Sequence, residues 1–280
     1  MDVPRVLQGK LAIITGASRN LGAACAEYLA SRCANVVIVY ASESSNDRAQ
    51  KLADELEDKY TIKALPIQVD LSTVDGPQMV VNVAKKYFTD PKTGKFQIDI
   101  IINNAAIVNA QPLAELDIDL FQDVYNLNCR APALLIKAAL PYLPTDRSGR
   151  VVNISSATTA WAAWGQTSYA GSKGALEAMT RIWARELSER CTVNTVAPGP
   201  MASIPFKVRD FLKPFNTLTP LGMARPGIDS PEAVKLSEEI GCRPGYLEEV
   251  AGLVGIACLP ESGWMTGSVL PATGGGTFTR

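Results

Sequence analysis

Over most of the first 200 residues, short and almost unbroken apolar runs alternate with longer stretches in which apolar side chains recur every three or four positions. The runs at 10–15, 36–40, 63–69, 98–102, 150–155 and 193–196 have strand length and are rich in Val and Ile. Val36-Val37-Ile38-Val39 and Ile100-Ile101-Ile102 leave no polar face, as expected of strands in a parallel sheet covered on both sides. The intervening stretches at 21–32, 45–59, 73–88, 121–143 (with some irregularity) and 168–189 carry a helical period. The alternation predicts successive βαβ units and an α/β fold.

The pattern breaks between 198 and about 245, where eight prolines accompany Phe206, Phe211 and Phe215. This stretch reads as an excursion over one sheet edge rather than a second domain. A last helix at 247–258 and a short strand near 268–270 complete the expected elements, so one domain over 1–280 is expected.

Composition narrows the chemistry. The chain has 280 residues, 47% of them hydrophobic and 20% charged, and such a length buries about three quarters of its unfolded surface in one core. A formal charge of −1 supplies no basic face for nucleic acid or an anionic membrane. The apolar stretches at 98–102 and 131–140 are far too short to span a bilayer, and no leader is expected because Met1-Asp2-Val3-Pro4-Arg5 runs straight into a strand-like segment. Cys25, Cys33, Cys129, Cys191, Cys242 and Cys258 are scattered without metal-site spacing and read as reduced, packed thiols of a cytoplasmic protein. The absence of any histidine removes Ser-His-Asp and Cys-His catalysis and every His-based zinc site. Chemistry must therefore come from Tyr, Lys, Ser, Asn, carboxylates or a cofactor.

Tyr169 and Lys173 stand four residues apart in Tyr-Ala-Gly-Ser-Lys, on one face of a predicted helix, with Ser156 thirteen residues upstream at the end of a buried strand. A phenol beside an ammonium is expected to have a depressed pKa and to exchange a proton with a carbonyl or alcohol oxygen near neutral pH, while Ser156 holds the same oxygen.

Three further segments fall at the carboxyl ends of predicted strands, where an open parallel sheet binds its ligand. Thr15-Gly16-Ala17-Ser18-Arg19-Asn20-Leu21-Gly22 joins a strand to a helix, the setting in which a glycine-rich turn and a helix N-terminus meet a pyrophosphate. Gly16 makes the tight turn and Gly22 permits close packing, while Asn20 occupies a usual glycine position and tolerates left-handed backbone angles. Asp70 ends the third strand with a carboxylate for an adenine amino group, and Asn103-Asn104-Ala105-Ala106 ends the fourth with amides and small residues beside a ribose.

With Thr15–Gly22, Asp70, Asn103–Ala106, Asn128, Ser156, Tyr169-x-x-x-Lys173 and Pro198-Gly199 in this order, the chain resembles the classical short-chain dehydrogenase/reductase family over nearly its whole length. The resemblance implies a doubly wound Rossmann fold with a seven-stranded parallel sheet, hydride transfer with a nicotinamide cofactor, and an Asn128-Ser156-Tyr169-Lys173 tetrad. In that tetrad Asn128 holds a water that reconnects Lys173 to solvent. It also implies a homotetramer or homodimer packed through the long helices. Departures from the family pattern are Asn20, Ala106, Ser203 and Thr273. The contacts expected along the dinucleotide are Gly16, Ser18, Arg19, Asn20, Leu21 and Gly22, then Tyr40, Ala41 and Ser42, Asp70 and Leu71, and Asn104, Ala105 and Ala106. Tyr169, Lys173, Pro198, Gly199, Met201 and Ser203 complete them. Arg19 together with Tyr40-Ala41-Ser42, where an NAD-selective chain usually presents a carboxylate, points to NADP(H), although Glu43 stands one step further on.

Trp161, Trp164 and Phe206 are expected around the substrate, which favours a small or medium hydrophobic carbonyl of aromatic or polyketide type; alternatively these rings pack the loop or a subunit contact. A second reading resembles the 3-oxoacyl-[acyl-carrier-protein] reductases and needs a basic patch, to which Arg147 and Arg190 would contribute. A third is a catalytically silent cofactor-binding scaffold.

Overall fold

The structure is a computed structural model that describes residues 5–201 and 219–277. Its strands are β1 (Leu11–Thr15), β2 (Asn35–Tyr40), β3 (Ala64–Gln68), β4 (Ile100–Asn103), β5 (Gly149–Ile154), β6 (Cys191–Pro198) and β7 (Val269–Ala272). They form one seven-stranded sheet in the order β3-β2-β1-β4-β5-β6-β7, with every pairing parallel. This is a Rossmann-like doubly wound sheet whose order reverses between β1 and β4.

Alternation along each strand divides two apolar cores. Ala12 and Ile14 of β1 join the core formed with α1 (Asn20–Ala30), α2 (Asn46–Tyr60) and a late helix at Leu247–Ile256. Leu11 and Ile13 join the opposite core with α3 (Gly76–Phe88), α5 (Ala131–Ala139) and α6 (Thr167–Glu186). Ile13, Ile14, Ile101 and Ile102 are all fully buried, and such side chains stabilise the fold by about 1.5–3 kcal/mol each.

Element ends differ from the sequence pattern for local reasons. The helix expected from 73 begins at Gly76, because Thr73 instead donates its hydroxyl to the Asp70 carbonyl and accepts from the Gly76 N–H. The stretch 121–143 is divided into α4 (Ile118–Tyr125), a π-helical turn (Asn126–Arg130), α5 and a 3-10 turn (Leu140–Tyr142). The helix expected to reach 189 stops at Glu186, since Arg190 and Cys191 both donate backbone N–H bonds to Leu187 and turn the chain into β6.

In the proline-rich excursion the described part contains a helix the pattern did not suggest, α7 (Pro231–Ile240), started by Ser230 capping Ala233 and stopped by Gly241 at φ +86°. Arg243 donates its N–H to Gly222, and Gly245 donates to Pro200, which returns the chain to the carboxyl end of the sheet before α8 (Leu247–Ile256). Among the described residues no helix is long and apolar enough to cross a membrane.

Buried polar side chains tie the central strands to α6. Asn103 donates to Asn153, Asn153 to Thr180 and Thr195 to Thr180, at 2.8, 2.8 and 2.9 Å. One chain of hydrogen bonds thus joins β4, β5, β6 and α6, and satisfied buried polar networks of this kind fix a single arrangement. That arrangement holds α6, with Tyr169 and Lys173, over the ends of β4 and β5.

Candidate active site

A cavity of about 580 Å³ opens at the carboxyl ends of the strands, where the sheet order reverses. One end is the turn after β1. Gly16 is at φ +63° and Asn20 at φ +51°, so the asparagine does occupy the left-handed region. A Cβ on Gly22 would lie 2.4 Å from the Gly16 carbonyl oxygen, so this position admits no side chain and α1 starts directly against the turn. A dinucleotide fits the described residues here: a backbone cradle lies at the helix N-terminus, and the walls continue through Tyr40, Ala41 and Ser42 to Asp70 and Leu71.

The amides at the end of β4 are held by the protein itself, and Asn104 also lines the cavity. Asn103 is committed to Asn153, and Asn104 Nδ2 donates to the carbonyls of Thr15 and Gly16 at 2.9 and 3.1 Å. Thr15 in turn accepts the backbone N–H groups of Asn104 and Ala105. These residues brace the glycine turn from below, while Ala105 and Ala106 form wall. Asp70 Oδ1 accepts from the backbone and hydroxyl of Ser72, which aims the carboxylate at the cavity rim.

At the other end stand Ser156, Tyr169 and Lys173, all lining the cavity and all buried. Lys173 Nζ donates to the Ile154 carbonyl at 2.6 Å and lies 5.9 Å from the centre of the Tyr169 ring. Burial pulls its pKa down to about 8. The expectation of a depressed tyrosine pKa is reversed: burial pushes the Tyr169 phenol above its ordinary value, only partly opposed by the Ser156 hydroxyl. The ammonium faces the end of β5 rather than the phenol, so the desolvation of Tyr169 dominates.

Asn128 sits in the π-helical turn, the kind of local irregularity that recurs at functional sites. Both of its amide hydrogens are donated, to the Ile107 carbonyl and the Ser172 hydroxyl at 3.0 Å each, and its oxygen accepts from Ile107 N. The amide nitrogen therefore has no hydrogen left for a water. Instead it clamps the segment after β4 to the middle of the Tyr-x-x-x-Lys turn.

Glu177 had no place in the sequence reading, although it lies one helical turn beyond Lys173. Its Oε1 accepts from Ser155 at 2.6 Å and Thr159 at 2.9 Å, bracketing Ser156. Glu177→Leu is expected to lower kcat about tenfold and stability by about 1–3 kcal/mol, as two hydroxyls lose their acceptor. Glu177→Gln, which keeps an acceptor oxygen, should restore most of both; steady-state kinetics and urea midpoints check this.

The remaining expected residues separate cleanly. Pro198, Gly199, Met201 and Trp161 line the cavity. Trp164 is 70% exposed and is not among the described residues that line it. Ser203, Phe206, Phe211 and Phe215 lie outside the described residues. Arg147 pairs with Glu189, and Arg190 donates to the carbonyls of Leu140, Leu143 and Pro144. Both precede the first residues of β5 and β6, at the sheet end opposite the cavity, so neither forms a basic patch beside it.

Comparison with known proteins gives the same picture from a different direction. The family model of the short chain dehydrogenases matches residues 10–208. The L-xylo-3-hexulose reductase of Hypocrea jecorina is 43% identical, with 97% of each chain covered. The L-xylulose reductase of Aspergillus niger is 40% identical over 98% of this chain and 99% of its own. Among solved structures, a blue fluorescent protein from a metagenomic library in complex with NADPH superposes with a TM-score of 0.78 at 33% identity, covering 98% of this chain and all of that one. On the match to more than half of its length, and with the Rossmann-like sheet in place, the chain belongs to the short-chain dehydrogenase/reductase family of oxidoreductases.

Proposed function

We propose that the protein is an NADPH-dependent ketoreductase of one domain whose substrate is a small ketone carrying hydroxyl groups, of the size of an open-chain ketose. The observation that carries the reading is the convergence of Ser156, Tyr169 and Lys173 on one cavity wall that continues to the Gly16 turn. Two relatives at 40% identity or more are, by name, reductases of ketoses, which favours a hydroxylated substrate over the hydrophobic one expected from the tryptophans. A carrier-bound thioester is not favoured, since Arg147 and Arg190 are engaged at the far end of the sheet.

A bound reduced nicotinamide would supply the hydride, and the described cradle around Gly16, Asn20 and Gly22 would hold its pyrophosphate. The chain's own residues handle the oxygen. Tyr169 donates its proton to the carbonyl oxygen as that oxygen gains charge, and the Ser156 hydroxyl donates a second hydrogen bond to it. Burial keeps the phenol protonated at neutral pH, the form a reductive acid requires. Lys173 presents a fixed cation beside the reacting centre, steadied by the Ile154 carbonyl. Asn128 and Glu177 hold the two arms of the site in place without touching the substrate. The test is turnover of L-xylulose with reduced cofactor, followed by its absorbance.

Cofactor choice rests on the rim. Arg19 lines the cavity and its guanidinium has no hydrogen-bond or ion-pair partner among the described residues, while exposed Glu43 is not part of the wall. A guanidinium beside Ser42 suits a ribose phosphate. Wild-type kcat/KM should favour NADPH over NADH by at least about tenfold, and Arg19→Ala should remove most of that preference while barely changing NADH kinetics. A preference for NADH in the wild type would reverse the assignment.

A further inference from the structure

Asp70 and Ser156 mark opposite ends of the cavity, because they follow β3 and β5, which stand four strands apart in the sheet. A nicotinamide beside Tyr169 and a pyrophosphate at the Gly16 turn therefore leave the adenine for the wall formed by Tyr40, Ala41, Asp70 and Leu71. There Asp70 Oδ1 is taken by Ser72, and Oδ2 has no hydrogen-bond partner among the described residues. A carboxylate oxygen only accepts, so Oδ2 suits the 6-amino group of the base.

The turn that carries Asp70 is closed on itself. Ser72 donates its N–H and hydroxyl to Asp70 Oδ1 at 2.8 and 2.7 Å, Thr73 donates its hydroxyl to the Asp70 carbonyl at 2.9 Å, and Gly76 donates its N–H to the Thr73 hydroxyl at 3.0 Å. A Cβ on Gly76 would lie 2.1 Å from the same Asp70 carbonyl oxygen. These contacts fix the shape of the turn but not its place in the cavity wall. Among the described residues, a single hydrogen bond reaches residues 70–75 from outside the turn and the helix it starts: Arg130 Nη2 donates to the Ser72 carbonyl.

Arg130 is the last residue of the π-helical turn, and Asn128 stands two positions earlier, on a different side of it. Asn128 reaches Ile107 and Ser172 while Arg130 reaches the Asp70 turn, so one element holds both ends of the cavity. In this position Arg130 Nε is buried without a partner. A long apolar side chain would fill the same space without stranding a polar atom, so packing alone does not account for an arginine here; the donor to Ser72 does.

We infer that Arg130 is a positioning residue for cofactor recognition: through the Ser72 carbonyl it holds the Asp70 carboxylate where it accepts from the adenine amino group. Arg130 itself is not part of the cavity wall and acts only through Asp70. The inference rests on the reading of the cavity as a dinucleotide site.

The experiment measures dissociation constants of the full-length wild type, Arg130→Met and Arg130→Lys for NADPH and for its hypoxanthine analogue, in which an oxygen replaces the 6-amino group. The wild type is expected to bind NADPH about tenfold more tightly than the analogue, roughly one charge-assisted hydrogen bond. Arg130→Met should weaken NADPH binding about five- to tenfold and leave the analogue within about twofold, so that the preference for the amino group collapses. Arg130→Lys, which still carries a donor for Ser72, should restore most of it. In reduction of L-xylulose the loss should appear in KM for NADPH rather than in kcat at saturation. Equal weakening for both dinucleotides, or a fall in kcat with KM unchanged, makes Arg130 a support of the π-helical turn and overturns the inference. A wild type that does not distinguish the two bases overturns it as well. A protein that shows the expected binding pattern without reducing L-xylulose overturns the proposed function and leaves the inference standing.

Discussion

Tyr169→Phe is expected to lower kcat by at least about 10²-fold and to leave NADPH affinity within about twofold, the pattern of a lost general acid. The ring is 9% exposed and packed into the wall of the cavity, so phenylalanine fills the same space and the cradle at Gly16 is untouched. Only the proton and one hydrogen bond to Ser156 disappear. Stability should change by about 1 kcal/mol or less, because only one buried hydroxyl is removed and the Ser156 hydroxyl keeps the Thr158 N–H as a partner. Single-turnover measurements with preformed protein–NADPH complex separate this effect from binding. A variant with more than half of the wild-type rate would remove Tyr169 from the chemistry and with it the reductive mechanism. The raised pKa adds a directional check. Since the phenol titrates above its ordinary value, deprotonation of Tyr169 is not expected to limit reduction anywhere near neutral pH.

The fold was legible where one physical requirement dominates. Strands buried on both faces must be apolar along their centres, and β1, β2 and β4 are; the ends of all three could be anticipated to within two residues. The Gly16 turn was equally readable, because only certain residues tolerate the backbone that Gly16 and Asn20 adopt. The positions of Tyr169, Lys173 and Ser156 on one wall followed from helical spacing and a strand end.

The rest depends on who pairs with whom, which spacing does not encode. Helical periodicity brought Lys173 beside Tyr169, but the ammonium is turned to a carbonyl contributed by β5. Asn128 looked like a solvent relay, and its partners Ile107 and Ser172 lie 21 and 44 residues away. Trp164 and Trp161 were indistinguishable as sequence neighbours of the site, yet the loop between Thr159 and Thr167 sends one inward and the other out. Glu177 did carry a signal, an acidic residue at the next turn of the Tyr169–Lys173 face, which was open to the same argument that picked out the lysine.

Lys173→Met is expected to disable the enzyme and at the same time make the fold more stable. The side chain is 2% exposed, and burial lowers its pKa from 10.5 to about 8. Because the folded value lies below the unfolded one, the unfolded chain binds the proton more tightly. The penalty is therefore fully present below pH 8 and is relieved as pH rises toward the unfolded value. At neutral pH it amounts to about 3 kcal/mol, set against a charged hydrogen bond to the buried Ile154 carbonyl whose loss costs about 2 kcal/mol. Methionine has nearly the same length and no charge, so the variant should gain about 1 kcal/mol, or roughly 2 °C in Tm at pH 7. Above about pH 10 the advantage should vanish, and a Tm difference that is independent of pH would mean that Lys173 is not buried as an ammonium. Activity moves the other way. Without the cation, kcat/KM for reduction should fall by at least about 10²-fold, and the wild-type decline expected as pH rises through about 8, where Lys173 loses its charge, should be absent from the residual activity. An active site that keeps a lysine here accepts a desolvated charge that the fold alone would discard, and the opposed changes in stability and rate measure that conflict directly.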